Sequence, residues 1–419
     1  MPPRGGARPP EAGRAPGKIL AVIPARAEGA RVGDLAEDLR REIEKESSSK
    51  VNSPAGQQAS ASPCLVDVLV LLDGPDPDAE ARLARDGVHY LSKNIPGPTK
   101  GHALAFLAEC IEQKLDSFDF ILVFDADMRL PEGFFRDLRV PEGTEAFQLP
   151  VRPAGAPGPG APRVEALSLA EARLDDLARD VEGLPVRLRG KAMGFSPRAF
   201  RLGPAVATRT TAEDSEATLA LLAKGVAVRA LSGPFAFDEP TPATGAMARS
   251  RARWFGGHLK LLATGFGDLL RIAAKSPKGA FVLACDLWLR PRLFVLLALA
   301  ILAAVSDGAL LFLASNGTWT AAARAAGGAA SGADASAGAV ASAHTVALLL
   351  FLLLFSFEAK LALVLEGLSL AALRRRLGYP SEIPPVSSSD VMASLAMWIG
   401  AAFRGATAPS RWHRARPPR

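Results

Sequence analysis

Three short apolar runs, each closed by a polar or turn-forming residue, limit what this chain can fold into. Lys18 to Pro24 (KILAVIP) ends in proline, and Leu65 to Leu72 (LVDVLVLL) is stopped by Asp73-Gly74-Pro75. Phe118 to Phe124 (FDFILVF) runs into Asp125-Ala126-Asp127. Each run is short, bounded by turn signals, and rich in β-branched or aromatic residues, so each reads as a strand covered on both faces. Between them lie stretches of helical period, Asp34 to Glu46 with Leu35, Leu39 and Ile43 four apart, and Ala103 to Lys114. Strands alternating with helices predict an α/β domain with a largely parallel sheet, whose ligands collect at the carboxyl ends of its strands. By that rule Glu28, Asp73, Asp125 and Asp127, which all follow a strand end, share one rim.

Composition narrows the class. The 419 residues carry a formal net charge of +6, but the basic residues gather beside apolar segments and no nucleic-acid reader motif is present. A membrane surface, and no nucleic acid, is the expected partner of that charge. Cys64, Cys110 and Cys285 are odd in number and far apart, which gives neither a disulfide framework nor a metal-ligand spacing and points to a reducing compartment. Residues 1–17, rich in Pro, Gly and Arg, read as a disordered tail, and Ser47 to Pro63 as a flexible insertion. A Pro/Gly loop at Pro150 to Pro162 precedes a helix over Val164 to Asp180.

The C-terminal third reads as a membrane portion. His258 to Lys275 sets Leu259, Leu262, Phe266, Leu269 and Ala273 along one face beside Lys260, Arg271 and Lys275, the pattern of an interfacial helix. Leu293 to Leu313 and Thr345 to Leu365 are long enough to span a bilayer; Glu358 and Lys360 inside the second must pair, snorkel or face protein. Arg290 and Arg292 before the first span and Arg374 to Arg376 after the second place both flanks in the cytosol. Val391 to Phe403 is short for a span and reads as interfacial. The expected division is therefore a tail at 1–17, a catalytic domain at 18–257, interfacial helices at 258–292, two spans with an exoplasmic linker at 293–366, and a basic tail at 367–419. Such a chain is an integral protein of a bacterial inner membrane with its catalytic domain in the cytosol.

The chemistry is concentrated after the third run. In extended chain, residues i and i+2 point to the same side, so Asp125 and Asp127 can share one divalent ion. A hard cation such as Mg²⁺ or Mn²⁺ prefers carboxylate oxygens and also the oxygens of a diphosphate. Glu213 and Asp214 open a helix through Leu222, where acids favour the dipole. A carboxylate at that place can also take the proton of an attacking hydroxyl.

From Ile23 onward the chain resembles the processive-type family 2 glycosyltransferases, the group that includes cellulose, chitin and poly-N-acetylglucosamine synthases. The stretches that carry the resemblance stand in the family's order: Ile23-Pro24-Ala25 with Glu28, LLDG at 71–74, Lys100-Gly101-His102-Ala103-Leu104, FDADMRLPEGF at 124–134, GKAMGFSPRAF at 190–200, Ala212-Glu213-Asp214, and Arg251-Ala252-Arg253-Trp254. The resemblance implies a GT-A-like, nucleotide-sugar-binding α/β domain. It implies that Glu28, Asp73 and Lys100 contact the donor, that Asp125 and Asp127 are the diphosphate and metal pair, and that Asp214 is the general base. Arg251, Arg253 and Trp254 would then serve the diphosphate and the acceptor sugar.

Three departures stand out. Ser250 replaces the family's Gln, Ala27 stands where Asn commonly precedes the first Glu, and Gly74 to Asp78 lacks the usual Ser/Thr-x-Asp pattern. The expected activity is inverting, metal-dependent transfer of a sugar from a nucleotide-diphosphate-sugar, a UDP-sugar, to a glycan or lipid-linked acceptor. Two spans are few for a polymer channel, which calls for a homo-oligomer, an export partner, or a single transfer. The alternatives are a decayed transferase acting as a membrane scaffold and a sugar-nucleotide nucleotidyltransferase. The latter lacks the Gly/Ser-rich loop and Lys after Arg26 that would grip a triphosphate.

Overall fold

The computed structural model describes residues 13–51, 64–155, 158–239 and 244–288, with 307–308, 389–390, 393, 396–397, 401 and 404. The chain forms two compact units, Met1–Trp288 with Tyr379–Arg419, and Leu289–Gly378. All the elements named below belong to the first.

In chain order these are β1 (Lys18–Ala25), α1 (Val32–Val51), β2 (Leu65–Asp73), α2 (Pro77–Arg85), β3 (His89–Lys93), α3 (Lys100–Cys110), α4 (Glu112–Leu115), β4 (Phe120–Val123) and β5 (Met128–Arg129). They continue with α5 (Phe134–Asp137), β6 (Ala146–Gln148), β7 (Val151–Pro153), α6 (Ala161–Val181), β8 (Met193–Phe195), α7 (Pro197–Leu202) and α8 (Glu213–Ala223). Last come β9 (Val228–Ala230), β10 (Ala236–Asp238), α9 (Thr244–Thr264), α10 (Phe266–Lys275) and α11 (Pro277–Trp288).

The main sheet has seven strands in the order β3-β2-β1-β4-β8-β6-β9, and a three-stranded sheet runs β5-β10-β7. Strands β1 to β4 pair in parallel, as do β6 and β9. Strand β8 runs antiparallel to both β4 and β6, so the sheet is mixed though mainly parallel. Burial on both faces explains the unbroken apolar runs. Ile19, Ala21 and Ile23 of β1 pack into one core with Leu35 and Leu39 of α1 and Phe134 and Phe135 of α5. Leu20 and Val22 pack into the other core with Leu104 and Leu107 of α3, Phe200 of α7 and Leu221 of α8.

Several expectations change. The tail is fastened from Arg14 onward: Arg14 N donates to Val140 O and Val140 N to Arg14 O, both at 3.1 Å. Residues 47–51 extend α1 and are not part of the flexible insertion, whose 52–63 lie outside the described residues. The Pro/Gly loop contains β7 and the start of α6. The expected continuous helix from His258 to Lys275 is broken at Gly265, which joins α9 to α10. A Cβ there would crowd Leu219 and the Leu261 carbonyl, so glycine admits a close approach that a straight helix would not make. Among the described residues no helix is long and apolar enough to cross a membrane. The expected spans at 293–313, apart from 307–308, and at 345–365 lie outside the described residues, as does most of 391–403.

Candidate active site

The carboxyl ends of β1, β2 and β4 deliver their polar residues to one edge of the sheet, as parallel strands in adjacent register must. Past β4, Asp125 meets Lys100 from the first turn of α3. The ammonium donates to Asp125 Oδ1 and, at 2.8 Å, to the carbonyl of Gly190. Only 7% of the Lys100 side chain is exposed. Burial pulls its pKa down, but Asp125, Glu213 and Asp214 more than reverse that, and the ammonium is held above its ordinary range. Burial works against an ionised Asp125 too, yet Lys100, Lys191 and Arg253 hold its carboxyl below the usual value.

Gly101 lets α3 sit here. A Cβ at this position would land on the carbonyl oxygen of Ala207, so Lys100 reaches Asp125 only because its neighbour has no side chain.

The second half of the cluster comes from the loop before β8. Gly190 and Ala192 both adopt left-handed backbone, at φ of 78° and 50°. An alanine in that region costs of order 1 kcal/mol and persists only where its surroundings over-determine it. Gln148 does so: its Oε1 accepts from Arg189 N at 2.8 Å, and its Nε2 donates to the Lys191 carbonyl at 2.7 Å. Arg189 grips Asp176 of α6 with two nitrogens, at 2.5 and 2.6 Å. The loop thus holds Lys191 so that its ammonium donates to Asp238 Oδ1 at 2.6 Å. Burial lowers the Lys191 pKa, but Asp238, Asp127 and Asp125 outweigh it, so the group stays cationic. Sequence reasoning missed Lys191 and Asp238. Lys191 lies in a loop before β8 and Asp238 ends β10, and both strands are three residues long, too short to carry a pattern.

Glu213 and Asp214 open α8 beside this loop. A Cβ at Gly190 would lie 3.7 Å from Asp214 Oδ2, and Asp214 Oδ1 accepts from Ser215 N at 2.7 Å. Burial, with Asp214 adding to it, pushes Glu213 up to about 7 against the opposing pull of Lys100 and Arg253. Helix α9 packs on the start of α8 through Gly257, where a Cβ would strike Thr211 Oγ1 and Ala212 N. That contact explains why the Arg253 side chain acts electrostatically on both Glu213 and Asp125.

Other expected site residues have contacts of their own. Asp73 is fully buried and fastens the loop before α3: its Oδ1 accepts from Gly97 N at 2.9 Å, with Arg26 at 3.4 Å and Lys93 at 3.8 Å. Glu28 lies half-buried in the turn after β1, following Ala27 at φ 51°. Arg251 is bonded to Glu165 of α6, which ties two helices together. Trp254 stacks on His258, one turn along α9, at 3.8 Å between ring centroids. His258 in turn reaches buried Ser215 at 3.2 Å.

Among the described residues no three His, Cys, Asp or Glu side chains stand close enough to cage a metal alone. The strand-end pair fits a different kind of cation, one that keeps waters and shares the oxygens of a diphosphate. The local charge agrees. Burial, reinforced by Asp127 and Asp125, keeps Asp238 above its usual carboxyl range even with Lys191 bonded to it. That surplus of negative field is what a divalent ion would neutralise.

No family model matches the chain, and no curated protein does. Among solved structures the chain is similar to mannosyltransferase PcManGT from Pyrobaculum calidifontis, in complex with GDP-Man and Mn²⁺, at 12% identity over 85% of this chain and 90% of that one, with a TM-score of 0.46. It is also similar to glucosyl-3-phosphoglycerate synthase from Mycobacterium tuberculosis, in complex with Mn²⁺, UDP and glucosyl-3-phosphoglycerate, at 20% identity over 58% and 78% with a TM-score of 0.36. A third is mannosyl-3-phosphoglycerate synthase from Rubrobacter xylanophilus, at 15% identity over 62% and 75% with a TM-score of 0.36.

Proposed function

We propose that the chain is an inverting glycosyltransferase of the family 2 kind, which moves a sugar from a nucleotide-diphosphate donor to a hydroxyl acceptor. One observation carries this reading: Lys100, Asp125, Lys191, Glu213 and Asp214, from four separate stretches of chain, converge on the carboxyl rim of the sheet.

The residues divide the work. Asp214, beside the Gly190 α-carbon, takes the proton from the acceptor hydroxyl as its oxygen attacks the anomeric carbon. The bond from that carbon to the donor phosphate breaks as the new one forms, and the nucleoside diphosphate leaves from the opposite face. Asp125 and Asp127 would hold Mn²⁺ or Mg²⁺, which when bound neutralises charge on the departing diphosphate. Lys100 keeps Asp125 ionised and in place for that task. Asp73 fixes the loop that leads into α3, and Glu28 follows the end of β1 on the same rim.

The exposed apolar residues Leu259, Leu262, Phe266, Leu270 and Phe281, with Lys260, Arg271, Lys275 and Lys278 beside them, support seating on an anionic membrane surface. The acceptor would then be a membrane-bound lipid or glycan.

The purified protein in detergent should be incubated with UDP-glucose, UDP-N-acetylglucosamine and GDP-mannose, each with Mn²⁺, and the nucleoside diphosphate released should be followed. Slow metal-dependent release from one donor is expected. No release and no binding of any of the three would end the transferase reading.

A further inference from the structure

We propose that Lys191 is a donor-binding side chain whose ammonium grips the diphosphate of the sugar nucleotide. The proposal rests on the reading of this cluster as a sugar-nucleotide site. It gives a role to a residue of the GKAMGFSPRAF stretch to which the family resemblance assigned none.

The argument begins with the backbone. Lys191 stands between two residues in left-handed conformation, Gly190 and Ala192, and the loop is clamped by Gln148 on both sides of it. A surface tether between two strands needs no such construction. A side chain that must meet a ligand at a set position does.

The second point is unused bonding capacity. An ammonium has three donors, and the hydrogen-bond partner found for Lys191 among the described residues is Asp238. Its side chain is 31% exposed, and Asp238 takes only one of its three donors.

The third point is charge. Lys191 feels Asp127 and Asp125 as well as Asp238, so it stands beside the pair that would carry the metal. A compact ammonium next to a divalent ion suits a diphosphate, whose oxygens can bond both. Lys100 is a poorer candidate for the same role, because Asp125 and the Gly190 carbonyl already take two of its three donors and it is almost fully buried.

The test uses the full-length protein in detergent with Mn²⁺ and calorimetric titration of UDP, GDP, UMP and GMP. Lys191→Met should weaken the diphosphate that binds wild type about ten- to a hundredfold, the contribution of one charge-assisted hydrogen bond. The monophosphates should change little, and Lys191→Arg should recover part of the loss. Asp238→Asn releases the ammonium without removing it, so diphosphate affinity should be kept or rise. Equal losses in Lys191→Met and Asp238→Asn would mark the pair as a structural tether and overturn the proposal. So would unchanged diphosphate affinity in Lys191→Met. Wild type that binds no nucleoside diphosphate would remove the transferase reading itself, and this proposal with it.

Discussion

Gly190 faces the Asp214 carboxylate: a Cβ at the glycine would lie 3.7 Å from Oδ2. Space is therefore adequate for alanine, but the φ of 78° is not. Gly190→Ala should lower stability by about 1–2 kcal/mol. It should also reduce turnover more than that loss explains, because the carbonyl receiving Lys100 moves with the strained peptide. Urea unfolding and donor hydrolysis measured on one preparation separate the two effects.

Lys100 and Asp125 should behave as a coupled pair. Lys100→Met leaves a carboxylate in a largely buried place without its main counter-charge, at a cost of about 3 kcal/mol. Adding Asp125→Asn should return a good part of it. A double-mutant cycle by denaturant unfolding reads the coupling, and additive losses would show that the pair contributes nothing jointly.

The pH dependence of stability should carry the mark of Glu213. In the unfolded chain its carboxyl titrates near 4.5, and in the folded protein near 7. Between those values the folded state keeps a proton that the unfolded state has released, so stability falls as pH rises through the window. Glu213→Gln removes that slope. The variant should be the more stable above pH 7, by up to ~3 kcal/mol, and the difference should vanish below pH 4.5. Thermal unfolding at pH 5 and pH 8 checks it, and parallel curves for the two proteins would contradict the burial argument.

Two arginines two residues apart should part company. Arg251→Met and Glu165→Gln should give similar, modest losses of stability, because together they tie α9 to α6. Arg253→Met should leave unfolding nearly unchanged and lower turnover, since its charge acts on Glu213 and Asp125. Equal kinetic effects of Arg251→Met and Arg253→Met would restore a shared role.

Much of this was legible before any coordinates. The apolar runs of β1, β2 and β4 were plain because each is buried on two faces and ends at a carboxylate or a turn. Strand β3, HYLSK, escaped because it is polar and pairs at the sheet edge, with β2 alone as neighbour. Helix α2 escaped because Asp73-Gly74-Pro75 read only as a stop. Yet Asp76 caps α2, accepting from Ala79 N at 3.2 Å, and Pro77 begins it, a start signal that was there to be read. Within the site, Lys100 bonds Asp125, and Asp214 acts on the same ammonium electrostatically. Arg251 does not join them, because its partner Glu165 lies 86 residues earlier and nothing local announces such a pairing. Asp238 and Lys191 gain their meaning only from a loop whose shape depends on Gln148.

The ammonium of Lys100 settles one further matter. Zinc-finger chains cannot hold their ligands together until the ion arrives. Here an internal cation already stands at the crowded carboxylates and offsets part of their charge. On the proposed function, manganese or magnesium shortage would then idle folded molecules that resupply could return to turnover.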